Sequence, residues 1–90
     1  MATLELTKHL RLIPENDQQL SILCGPFNEN ITLIERTLGV EINNHGCDFN
    51  IIGIPLSVDI ATQLLQILYK KSEHCEQIKT HNIQLILKSL

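Results

Sequence analysis

Aromatic side chains are nearly missing from this chain of 90 residues, which holds no tryptophan, one tyrosine and two phenylalanines. Leu and Ile must therefore supply the core of what length and composition make one compact domain. Glycine is scarce too: none of the four is followed by lysine, so no G-x-x-x-x-G-K-[ST] loop exists to cradle phosphates. The chain by itself is expected neither to bind nor to hydrolyse ATP and not to be an enzyme. No apolar run approaches the ~20 residues that cross a bilayer, and Met1-Ala2-Thr3-Leu4-Glu5 has no basic start of a secretion signal. A membrane partner is not expected. The three cysteines, Cys24, Cys47 and Cys75, are odd in number and lack C-x-x-C spacing, which reads as reduced thiols of a cytoplasmic protein. His45 with Cys47, and His74 with Cys75, lack the paired spacing of a zinc site, and no carboxylate is placed to orient a Cys or His nucleophile. Neither metal nor catalytic residues are expected.

Positive charge is absent from most of the sequence. Between Leu12 and Tyr69 the sole Lys or Arg is Arg36, among seven acidic residues, and the net charge is -3. A general polyanion binder is disfavoured by that balance. Any strong phosphate contact has to come from the chain ends or from another domain.

What is present is a change of hydrophobic period. Leu4, Leu6, Leu10 and Leu12 alternate with polar residues as in a half-buried strand, which Pro14 stops. Asn16 or Asp17 caps a short helix through Leu20, Ile22 and Leu23, with Gly25 as its left-handed stop. Asn28 is read as the cap of a second helix bearing Ile31, Ile34 and Leu38, ended by Gly39. Residues 40–43 and 47–52 then alternate as two strands, joined by Asn44-His45-Gly46. A long helix over residues 56–72 follows Gly53-Ile54-Pro55, then a polar connector over 73–79. Thr80 is read as the cap of a last helix with Ile83, Ile86, Leu87 and Leu90 on one stripe.

The order β-α-α-β-β-α is that of a type I K-homology (KH) domain, an α+β two-layer sandwich with a three-stranded sheet and helices on one face. Residues 1–79 make this domain. Residues 80–90 add a helix that is either a brace on it, a self-association contact, or a connector toward a further domain; packing on its own domain is the preferred reading. The KH turn between the first two helices reads G-x-x-G; here Asn28 replaces the second glycine, and the turn holds no cation.

More of the chain resembles one family. The run Leu23-Cys24-Gly25-Pro26-Phe27-Asn28-Glu29-Asn30-Ile31, then Ile34-Glu35-Arg36, Leu38-Gly39-Val40-Glu41-Ile42, Phe49-Asn50-Ile51-Ile52-Gly53 and Leu68-Tyr69, is similar to the N-terminal region of bacterial PhoH-like proteins, over about residues 10–90. The resemblance implies a cytoplasmic parent in which this domain precedes a P-loop ATPase related to helicase cores. ATP and Mg would belong to that absent domain. It also implies work on single-stranded or ribosomal RNA, and a link to an endoribonuclease of ribosomal RNA processing.

The candidate nucleic-acid contacts are Gly25, Pro26, Phe27, Asn28 and Asn30 at the turn, Arg36 further along the helix, and Asn43, Asn44 and His45 at the hairpin. Each has a plainer reading. The turn is also a C-cap followed by an N-cap, with Glu29 competing with a phosphate for the same amides. Phe27 either stacks on a base or plugs the core. Arg36 either reaches a phosphate or a flipped base, or forms an exposed ion pair with Glu35 or a neighbour, the latter being preferred. Two functional classes therefore stand: an RNA-contacting accessory domain, or a protein-interaction and assembly module that keeps the fold without the nucleic-acid chemistry.

Overall fold

The computed structural model describes residues 5–74 and 77–90; Leu4 and Cys75 lie outside the described residues. Strand β1 (Leu6–Arg11) leads to helix α1 (Asp17–Cys24), a tight turn over Pro26–Asn28 and helix α2 (Glu29–Leu38). Strands β2 (Glu41–His45) and β3 (Asp48–Gly53) form a hairpin, followed by α3 (Pro55–Lys71) and α4 (Thr80–Ser89). The expected β-α-α-β-β-α order with a further helix is the one found.

The sheet is antiparallel with order β1-β3-β2. Its register sets Leu10 opposite Phe49, and Ile42 opposite Ile51, so these four side chains share the face covered by helices. Period-2 alternation then turns His9, Asn50 and Asn43 to the opposite, open face. Helix α3 crosses β1 and β3, burying Val58, Ala61, Leu64, Leu65 and Leu68 on that apolar layer, while Leu23, Ile31 and Ile34 close it from α1 and α2.

Four local readings are corrected. Residues Asn44 and His45 belong to β2, and the hairpin turns on Gly46 and Cys47 alone. Cys47 is buried, and its carbonyl accepts from the Leu12 amide at 2.9 Å, which pins the turn to β1 and leaves no room for a longer loop. Asn28 does not cap α2 through its side chain: its backbone is left-handed (φ 61°, ψ 25°), and its carbonyl instead accepts from Thr32 Oγ1 at 3.2 Å. The cap of α4 is Lys79 rather than Thr80, with Asn82 Oδ1 accepting from the Lys79 amide at 3.2 Å. At Gly25 the chain does take a positive φ of 77°, but with an extended ψ of 173°, so it is a corner rather than a left-handed helical stop. Asn16 is the α1 cap, its Oδ1 accepting from the Gln19 amide at 2.9 Å.

Helix α4 folds back on its own domain. Ile83 is wholly buried against the common core, Ile78 just before it is nearly so, and Ile86 and Leu87 are half-covered. The last helix therefore braces α3, while Leu85 and Leu90 on its other side are exposed.

Candidate nucleic-acid interface

The turn between α1 and α2 is held by one buried amide. Asn30 is 2% exposed, and its Nδ2 donates to the carbonyls of Leu23 at 3.1 Å and Ile78 at 3.4 Å. Gly25 lies directly against it: a Cβ there would stand 2.8 Å from that nitrogen, so both close approach and positive φ demand glycine. Asn30 thus leaves the set of contact candidates, because its polar end is committed inside the protein. Gly25 is half-buried and acts through backbone shape.

Pro26 and Phe27 are pushed outward by this arrangement. Phe27 is fully exposed, with a left-handed backbone (φ 55°, ψ 27°), and Asn28 follows in the same conformation. Left-handed geometry costs a residue with a Cβ about 1–2 kcal/mol, least for Asn and more for a bulky side chain. Phe27 is therefore no core plug. It gains nothing from packing and sits in strained backbone.

Arg36 does not pair with Glu35. Glu35 Oε2 instead accepts from the backbone amide of Ile42 at 2.8 Å, satisfying a donor on the free edge of β2. Among the described residues no carboxylate pairs with Arg36. One turn of helix separates Arg36 from Thr32 and Leu33, and these residues with Phe27, Glu29 and Thr80 line an open depression of about 360 Å³. The aromatic ring and the cation singled out in the sequence share this surface, with the Glu29 carboxylate between them in chain order.

The hairpin candidates lie elsewhere. Asn43 is on the open sheet face in a row with Asn50 and His9, and His45 is in the next row with Asp48 and Arg11. Asp48 Oδ1 lies 3.5 Å from His9 Nε2 and 3.9 Å from Arg11 Nε, and Arg11 Nη2 lies 3.8 Å from Glu15, all exposed pairs of small energetic weight. Asn44 Nδ2 is turned back to the Gly46 carbonyl at 3.1 Å. Of the nine candidates, Phe27 and Arg36 line the depression, Asn30 is interior, Gly25, Pro26 and Asn28 make the turn itself, Asn43 and His45 lie on the open sheet face, and Asn44 sits opposite Phe49 with its amide on the hairpin.

Thr80 and Leu33 were not legible as part of this surface. Leu33 lies off the apolar stripe of α2, and Thr80 arrives from a helix some fifty residues further along. Among the described residues no three His, Cys, Asp or Glu side chains gather as a metal site would require, and no helix is long and apolar enough to cross a membrane. Burial, then the nearby Cys47, pushes the Cys24 thiol up, which is the opposite of what a reactive thiolate needs.

No protein-family model matches the chain. Two solved structures resemble it closely in three dimensions. Dim2p from Pyrococcus horikoshii OT3 superposes with a TM-score of 0.74 at 18% identity, over 96% of this chain and 49% of that one. A chain of the a/eIF2alpha–aDim2p–rRNA complex from the same organism gives 0.71 at 17% identity, over 94% and 46%. The chain spans about half the length of these structures. At such identity the likeness concerns the backbone, and with the sheet order, the paired helices and the turn between them it fixes the architecture as a KH-like α+β fold.

Proposed function

We propose that the chain is an RNA-contacting accessory domain, working within a longer PhoH-like, ATP-binding protein of RNA metabolism. The observation that carries this reading is Phe27. A fully exposed aromatic ring in left-handed backbone contributes no packing to the fold, and it borders the same depression as Arg36, with which no carboxylate among the described residues pairs. Backbone strain retained at such a place is a mark of a contact surface. Stacking of a base on an aromatic ring is worth about 1–3 kcal/mol, and a guanidinium nearby takes a phosphate. The rRNA named with one structural neighbour agrees with this class of partner. The motifs shared with PhoH-like proteins support the parent, in which ATP and Mg would sit in the other domain and an endoribonuclease would act on the same RNA.

Contact by this domain alone is weak, since only two or three side chains touch the strand; a Kd of about 10⁻⁴–10⁻⁶ M is the range for such charge-driven binding. Glu29 opposes it from within the depression. Glu29→Lys is therefore expected to tighten binding of single-stranded RNA and to steepen its salt dependence by about 0.7 or more in the log–log slope. Fluorescence anisotropy with a labelled oligouridylate measures both. If neither form binds at low salt, the domain is not an RNA reader and the assembly role takes its place.

A further inference from the structure

The depression beside the turn has an acceptor end and a donor end. Glu29, Thr32 and Arg36 follow one another at i, i+3 and i+7 on α2, and all three line it from one face of that helix. The stem of Glu29 rests on the corner at Gly25, where an added Cβ would stand 3.3 Å from Glu29 Cγ. Among the described residues no cation pairs with its carboxylate, which offers two oxygens that only accept. Thr32 continues in the same sense: its hydroxyl donates to the Asn28 carbonyl at 3.2 Å, which leaves lone pairs. At the other end Arg36 only donates, and Glu35 beside it in sequence is engaged by the Ile42 amide. Seven residues of helix set the Glu29 and Arg36 backbones about 10.5 Å apart. That span matches one planar base with a hydrogen bond of about 2.9 Å on each of two edges.

We infer that this depression selects guanine, and that Glu29 is the residue that selects it. Guanine alone among the four bases sets two neighbouring donors, N1–H and N2–H, on one edge and two neighbouring acceptors, O6 and N7, on another. The carboxylate accepts from the first pair and the guanidinium donates to the second, while the ring lies on Phe27. Uracil turns two carbonyl oxygens toward the same carboxylate around a single N–H. Adenine places a bare ring nitrogen there. Cytosine has an amino group for Glu29, but its opposite edge is C–H and gives Arg36 nothing to hold. The charge of Glu29 opposes any strand, and that loss of affinity is what discrimination between bases costs here. This inference rests on the reading of the turn as an RNA contact and adds the base that the contact accepts.

Fluorescence anisotropy with the whole chain tests it, using a labelled oligouridylate and the same strand carrying one central guanosine. The guanosine strand is expected to bind about tenfold more tightly, as one bidentate pair to a base discriminates. Inosine in that place, which lacks the N2 amino group, and 7-deazaguanosine, which lacks N7, each lose most of the gain. Glu29→Gln is expected to tighten the uridylate while abolishing the preference for guanosine. A carboxylate that acted through charge alone would, on removal, tighten both strands and keep their ratio. Thermal unfolding of the variant reports that the fold is kept. Equal affinity for the two strands in the unaltered chain overturns the selection and leaves the RNA contact standing. A guanosine preference that survives Glu29→Gln overturns the role of Glu29. Binding of neither strand removes the contact itself, and the selection with it.

Discussion

Phe27 is the residue at which folding and contact pull in opposite directions. Its ring is fully exposed and its φ is 55°, so the fold loses nothing when the ring is removed and is relieved when glycine takes the backbone. Phe27→Gly is expected to leave stability unchanged or to raise it by up to about 1 kcal/mol, the balance of strain relief against unfolded-chain entropy. RNA affinity should fall about tenfold as one stacking partner is lost. Urea unfolding and RNA titration of the same variant read the two effects; a stability loss above 1 kcal/mol would mean that the ring packs after all. Asn30 is the counterexample on the same turn. Its spacing puts it on the stripe of Ile34, where a polar residue looks like a surface contact at the helix start. Its partner carbonyl, Ile78, is forty-eight residues away, and nothing local announces that pairing. Gly25 was legible as a corner because a turn needs positive φ; that its missing Cβ makes room for Asn30 was not.

The elements were read well where period and punctuation agree. Pro14, Gly39 and Pro55 bound their neighbours as expected, and the stripe Ile31, Ile34, Leu38 lies inward on α2. Boundaries failed where a tertiary bond competes with local preference: β2 runs on through Asn44 and His45 because β3 pairs with them, despite the poor strand propensity of Asn. Helix α4 is the element with the largest consequence. Fully burying a side chain such as Ile83 is worth about 1.5–3 kcal/mol, and Ile78 is held down with it. Truncation after Lys79 should therefore lower the urea midpoint markedly, whereas an unchanged midpoint would make α4 a connector. The end of α3 is tied down as well. Tyr69 is buried, its hydroxyl donates to the Pro14 carbonyl, and Cys47 Sγ lies 3.7 Å from it. Burial, followed by the Cys47 contact, pushes the phenol up to about 12 from its ordinary 10.0. Because the neutral form is favoured in the folded chain, this stabilisation is complete below pH 10 and is lost as pH rises toward about 12. Alkaline unfolding monitored by circular dichroism should show that loss in the unaltered chain and a flatter limb in Tyr69→Phe; identical limbs would mean the phenol is not shielded.

For the whole molecule, the fold was legible because each level points the same way: a helical period, a glycine corner, a second helical stripe, then alternation. The surface was not, because its residues are distributed along the chain. Arg36 stands alone in the middle of the sequence, and Thr80, which lines the depression with it, comes from the start of α4. Likewise the open sheet face gathers His9, Asn43, Asn50, Arg11 and His45 from three strands into a second polar surface that no run of sequence displays. These two surfaces lie on different sides of the sheet, and a nucleic acid bound at one need not touch the other. Amide chemical-shift mapping during titration with a single-stranded oligoribonucleotide distinguishes them in one experiment. The account predicts that the largest shifts fall on Phe27, Asn28, Arg36 and Thr80, with β1 and β3 amides unmoved. Shifts centred on His9, Asn43 and Asn50, or none at saturating RNA, would contradict it.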